Sequence, residues 1–132
     1  MVTQIIEPVT KEMIDEYVAQ AAKAAGYEGF GMPGYDLAQP IWWAAYCRQS
    51  LDQQTQNSRL PDYLLTLAHM AKNQVVIVPL EYVFYDHETG EHLERPAMMH
   101  LRKLMQERQI SGIMFPALDR LSVSHYISRF SN

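Results

Sequence analysis

A single cysteine, Cys47, stands among the 132 residues. One cysteine can neither close an internal disulfide nor build a zinc site, and it fits a reducing compartment, so a cytoplasmic protein is expected. Long apolar runs are missing as well. None approaches the ~20 residues that span a bilayer. Residues 1–10 have neither the basic start nor the apolar stretch of a signal peptide, so no membrane association is expected. There is no glycine-rich phosphate loop: the Gly26–Gly34 segment follows no strand pattern and lacks a Gly-Lys-Ser/Thr ending. His87 and His92 flank an acidic loop with Asp86 and Glu88, but no two histidines sit at the helical four-residue spacing, so no metal and no other cofactor is expected. An excess of basic residues is absent too. The net charge of -4 argues against a surface that coats nucleic acid broadly.

What is present points to a folded domain with an uneven charge distribution. The hydrophobic fraction of 48% can supply a core, and the length suits one domain. Residues 1–40 hold two Lys and six Asp/Glu, and residues 41–94 hold three Lys/Arg and seven Asp/Glu. Residues 95–132 reverse the balance, with six Lys/Arg and two Asp/Glu. A basic C-terminal patch can meet phosphate in an acidic protein, although a solvated helix face has the same composition.

Periodicity divides the chain. Thr10 caps a predicted helix through about Ala25, with Ile14, Tyr17, Val18, Ala21, Ala22 and Ala25 on one face and Gly26 as its stop. Residues 26–40, with four Gly and two Pro, read as a loop or linker. An N-terminal helical extension and linker (1–40) is therefore expected ahead of the main domain (41–132). Ile41–Tyr46 reads as a buried strand, followed by a polar stretch to Asn57. Pro61 suits the first turn of a helix reaching about Asn73 that buries Leu64, Leu67, Ala68 and Ala71. Val75–Phe84 reads as a strand in which Pro79 marks an edge, a bulge or a break. Tyr85–Glu94 reads as a polar loop. Pro96 opens a helix with Met98, Leu101, Leu104 and Met105 inward, and Ile110–Phe115 is a third strand. The order β-α-β-α-β implies parallel pairing, hence an α/β fold with a three-layer, open, mostly parallel sheet and an extra N-terminal helix. Such a sheet needs both faces covered, and the N-terminal helix is one candidate cover.

Ligands of open parallel sheets bind beyond the carboxyl ends of the strands. Those ends carry Tyr46, Arg48 and Ser50, then Asp86 and Arg95, then Asp119 and Arg120. A hydroxyl, guanidiniums and carboxylates at one rim suit phosphoryl transfer, where catalysis rests on positioning and charge stabilisation. Arginine pairs bidentately with phosphate and stays charged, and its field lowers the cost of ionising a serine hydroxyl. Each residue also has a plainer reading. Ser50 can be an ordinary loop serine, Arg95-Pro96 a helix start, and Asp119–Arg120 a surface ion pair of little energetic weight. Trp42 and Trp43 can stack on bases, but neighbours on a strand face opposite ways, which favours core packing on both sides. Cys47, beside Arg48, is either a low-pKa thiol or a small buried hydrophobe.

Tyr46-Cys47-Arg48-Gln49-Ser50 resembles the Tyr-x-Arg-x-Ser signature of the serine recombinases, the resolvase/invertase type. Gln54 matches a glutamine often found there. Asp86, Thr89-Gly90 and Arg95-Pro96 resemble the family's Asp…Ser-Gly…Arg-Pro segment, with Thr for Ser. Asp119-Arg120-Leu121-Ser122 resembles its Asp-Arg-Leu-Ser/Gly motif. The resemblance implies a resolvase-like fold and site-specific DNA recombination by a resolvase or integrase, as in mobile elements. Ser50 would form a 5′-phosphoserine link while Arg48, Arg95 and Arg120 bind the phosphate. Asp119 would orient an arginine or assist the leaving hydroxyl, with Tyr46, Gln54 and Asp86 binding phosphate or supporting the site. It implies double-stranded DNA as partner, homodimers or tetramers in the functional complex, and no cofactor.

Two departures matter. The family usually has an arginine after Asp-Arg-Leu-Ser, and here the residue is Val123, leaving Arg129 as the nearest later arginine. The resemblance covers about residues 41–124, whereas the family domain continues into further strands and a long dimerisation helix, so a C-terminally truncated domain is expected. These departures motivate an alternative of another class, a catalytically inactive recombinase-like module that binds DNA or protein.

Overall fold

The computed structural model describes residues 10–33, 36–37, 39–50, 56–88, 96–118 and 123–129. The first element is helix α1, Lys11–Ala25. The Thr10 hydroxyl accepts from the Met13 amide at 3.2 Å, which satisfies one of the donors that a helix start leaves open. Gly26, at φ 69°, ends the helix in the left-handed conformation that a Cβ would penalise. The Tyr27 amide returns to the Ala22 carbonyl at 3.0 Å. Lys72 Nζ donates to the Ala25 carbonyl at 3.0 Å, a cation at the negative end of the helix.

The segment expected to be only loop contains a short strand, β1, Phe30–Met32. The next strand, β2, runs Trp43–Ser50 rather than Ile41–Tyr46. Ile41 is 54% exposed and precedes it. The polar residues Arg48, Gln49 and Ser50 stay in the strand because a neighbouring strand pairs with them to the last position. Helix α2, Gln56–Gln74, begins earlier than its proline signal. Pro61 therefore lies inside the helix and removes one of its backbone hydrogen bonds instead of using a free first-turn position.

The apolar run Val75–Phe84 is not one strand. Val75 ends the α2 turn at φ 54° and is 80% exposed. Strand β3 is only Val78–Pro79 and pairs in parallel with β1. A 3-10 turn, Leu80–Tyr82, then separates it from β4, Val83–Glu88. Of the outcomes open at Pro79, the break is found at the 3-10 turn, and the edge position is found too, since β3 pairs with β1 alone. Strand β4 also claims Tyr85–Glu88 from the expected polar loop, again through pairing with β2.

Helix α3, Pro96–Gln106, starts at its proline as expected. Leu101 and Leu104 are buried, but Met105 is 37% exposed, which corrects its inward assignment. Strand β5 is Gly112–Leu118, and β6, Val123–Arg129, folds back antiparallel on it. No strand was read from the residues there, although the resemblance implied further strands.

The main sheet has the order β4-β2-β5-β6, with β4, β2 and β5 mutually parallel and β6 antiparallel at the edge. The architecture is thus the expected α/β layering around a mostly parallel, open sheet. Alternation along β2 divides the core. Trp43, Ala45 and Cys47 pack with α1 and α2, while Ala44 and Tyr46, with Trp42 just ahead of the strand, pack with α3. Val18, Ala21 and Ala25 of α1 join Leu60, Leu64 and Leu67 of α2 in one buried cluster.

Candidate active site

Three parallel strands end on one side of the sheet, and the chain moves from β2 to β4 on one flank and later to β5 on the other. The strand order therefore reverses at β2, and in open α/β sheets the crevice beyond such a reversal is where ligands bind. Ser50 is the last residue of β2, in register with Glu88, the last of β4. Arg48 is in register with Asp86. Leu118 ends β5, one residue before Asp119, and lies opposite Val123, which opens β6. Pro96 opens α3, one residue after Arg95. The topology thus brings the carboxyl ends of β2, β4 and β5 to one side of the sheet.

Side-chain geometry is defined for part of this set. Tyr46 and Asp86 meet directly: the Tyr46 hydroxyl donates to Asp86 Oδ2 at 2.7 Å. Asp86 is 2% exposed and is the one buried charged side chain among the described residues. Its remaining partners lie on α3. The Ala97 amide donates to Oδ1 and the Met98 amide to Oδ2, each at 2.9 Å. A carboxylate placed on the first-turn amides of a helix satisfies open donors and sits at the positive end of the helix dipole. Burial of the charge is compensated by those three hydrogen bonds. Arg48 is exposed. The backbone of Ser50 lies in β2, while its side chain, together with Gln54, Arg95, Asp119 and Arg120, lies outside the described residues.

Cys47 is resolved as a buried hydrophobe. It is 2% exposed, and its Sγ donates weakly to the Phe84 carbonyl at 3.8 Å. Burial, and then the Asp86 charge, push its thiol up to about 12, the opposite of a reactive thiolate. Both tryptophans are core residues on opposite faces: Trp42 packs toward α3 and Trp43 toward α1 and α2. The Trp42 indole donates to the Asp36 carbonyl at 2.7 Å. Among the described residues, no cluster of His, Cys, Asp and Glu could hold a metal ion, and no helix is long and apolar enough to cross a membrane.

Sequence reasoning grouped Asp86 with the rim residues but missed its attachment to α3. The partners are main-chain amides, which a side-chain motif does not display. Pro96 was the available signal, because a proline at the first helical position announces a helix start that needs an acceptor for the amides after it.

Comparison with known families gives one match: the family described as "Resolvase, N terminal domain" matches residues 43–128. That span opens at the first residue of β2 and closes within β6. No curated protein and no solved structure matches the chain.

Proposed function

The chain belongs to the resolvase N-terminal domain family, a family of DNA recombination proteins, and from that premise we propose that it breaks and rejoins DNA strands with Ser50 as the nucleophile. The Ser50 hydroxyl gives up its proton, and its oxygen bonds to the phosphorus of a DNA phosphodiester. The bond from phosphorus to the 3′ oxygen breaks, that oxygen takes a proton, and DNA remains on the serine through a 5′-phosphate. Attack by another 3′ hydroxyl on this link reverses the step and completes strand exchange. Arg48, Arg95 and Arg120 stabilise the charge that grows on the non-bridging oxygens, and Asp119 orients an arginine or supplies the proton to the leaving oxygen. Gln54 supports the site. Double-stranded DNA is the substrate, and pairs or tetramers of the protein carry out the exchange. The chemistry calls for no cofactor.

The observation that carries this reading is the common rim: β2 ends at Ser50, β4 ends beside it, and β5 ends one residue before Asp119. Arginine is suited to that place because its fork binds phosphate in two-point fashion. A pool of nicked duplexes of randomised sequence, incubated with the chain, tests it. A covalent protein–DNA adduct that disappears in Ser50→Ala is expected; an adduct that persists in that variant would remove Ser50 from its role.

Val123 favours a second reading. The first residue of β6, opposite Leu118, is valine where the family resemblance expects arginine. One lost phosphate-binding arginine can remove ~2.7–4 kcal/mol of transition-state stabilisation, by analogy with deletion of an oxyanion donor. On this reading the chain is an inactive recombinase-like module that binds DNA or protein. Salt-sensitive duplex binding without any adduct would select it, and adduct formation would reject it.

A further inference from the structure

The Asp86 carboxylate, expected to bind phosphate or to support the site, is engaged within the protein. Its oxygens are engaged by the Tyr46 hydroxyl and by the Ala97 and Met98 amides, within a 2% exposed environment. A carboxylate near a DNA phosphate would also repel it. We infer that Asp86 is a positioning residue: braced by Tyr46 from β2, it fixes the first turn of α3 and thereby the place of Arg95, one peptide bond before that turn, against the phosphate. This inference rests on the proposed DNA function.

The physical case has three parts. First, Asp86 lies near the end of β4 and in register with Arg48, so the bond pattern ties α3 to the strand pair that ends at the rim. Second, Pro96 fixes φ close to the helical value and offers no N–H, so the first amides needing an acceptor are those of Ala97 and Met98, the two that Asp86 takes. Third, a bidentate arginine contact depends on placement within a fraction of an ångström, and a shift of about 1 Å can cost about 10²-fold in rate. The Asp86 charge also occupies the anion position of the α3 start, so phosphate at this end must be met by side chains rather than by those amides.

The sign of one substitution separates this role from simple charge. Removing a negative charge near a phosphate site strengthens DNA binding by Coulomb's law alone. Loss of positioning weakens it. The test uses the full chain and a 30-base-pair duplex of random sequence, with affinity measured across a salt series. Arg95→Ala is expected to lower the salt slope by about one, the signature of one lost phosphate contact. Asp86→Ala, with helical circular dichroism retained, is expected to weaken binding and lower the slope by the same amount. The Asp86→Ala/Arg95→Ala double variant is expected to add no further loss.

Asp86→Asn gives an independent arm should the alanine variant fail to fold. An amide oxygen can keep the Ala97 bond, but its NH2 group meets the Met98 amide donor to donor, so the slope is expected to fall part of the way. Tighter binding with an unchanged slope in either folded variant would overturn the positioning role and leave the DNA reading intact. A parent chain with no salt-dependent duplex binding would overturn the DNA reading and this role with it.

Discussion

The two faces of the main sheet are built differently, and β2 contributes to both. Toward α1 and α2 it presents Trp43, Ala45 and Cys47, and these meet Leu60, Leu64, Leu67 and Val18 in an apolar interior. Toward α3 it presents Ala44, which with Trp42 just ahead of the strand packs with Leu101 and Leu104, and then Tyr46, whose hydroxyl bonds a buried carboxylate. Among the described residues, the first face buries no charged side chain. The second changes, within two residues along one strand, from apolar packing to a hydrogen-bonded acid close to the rim. The larger apolar cluster lies on one side, and the hydrogen-bonded acid on the other. The alternation of a strand is what lets adjacent residues serve the two purposes.

Substitutions on each face should separate these contributions. The largest effect is expected from Leu64→Ala, which opens a cavity in the fully buried α1–α2 face. A loss of about 2–5 kcal/mol is expected in urea denaturation, with salt-dependent duplex binding by the folded fraction unchanged. Gly31→Ala comes next. Gly31 sits at φ 77°, and an added Cβ would run into Val18 Cγ1. Strain and overpacking together are expected to cost about 1–3 kcal/mol. Val18→Ala should recover part of that loss, so the double variant should be more stable than the sum of the single changes; strict additivity would show that the clash is not the cause. On the other face, Asp86→Asn should cost about 1 kcal/mol, the scale of a cap bond, and should speed hydrogen exchange at Met98 more than in α2.

The smallest effect is expected from pH. The Cys47 thiol is raised from 9.0 to about 12 by burial and then by Asp86. The native state therefore holds this proton more tightly than the unfolded state. Its contribution is full below pH 9.0 and declines as pH rises toward about 12. Urea midpoints should fall over that interval, and Cys47→Ala should lessen the fall at its lower end, where Tyr85, also raised by burial, has yet to titrate. A thiol reagent at neutral pH should label the chain only after unfolding.

Much of this was legible in the sequence, for identifiable reasons. Helix α1 carried its signals locally, with a Thr10 cap, an apolar stripe and Gly26. The α/β alternation and the start of α3 at Pro96 were equally local. The ends of β2 and β4 were not legible, because Arg48 to Ser50 and Tyr85 to Glu88 owe their extended conformation to each other across 38 positions of sequence. Strand β3 was hidden for a related reason: Val76 and Ile77 are apolar, but Val75 is spent on closing α2, and the 3-10 turn follows Pro79 at once. In the site, strand ends were enough to group Tyr46 with Asp86, which do meet. The role of Asp86 was not legible, since its acceptors serve backbone amides eleven and twelve residues away.

The central claim concerns one oxygen atom. Trap the adduct between the chain and a nicked duplex, digest both protein and DNA, and locate the remaining nucleotide by fragmentation mass spectrometry. The account predicts a 5′-phosphonucleotide on Ser50, within the peptide that follows Arg48, and none in Ser50→Ala. A nucleotide on any other side chain, or one retained in Ser50→Ala, would contradict it.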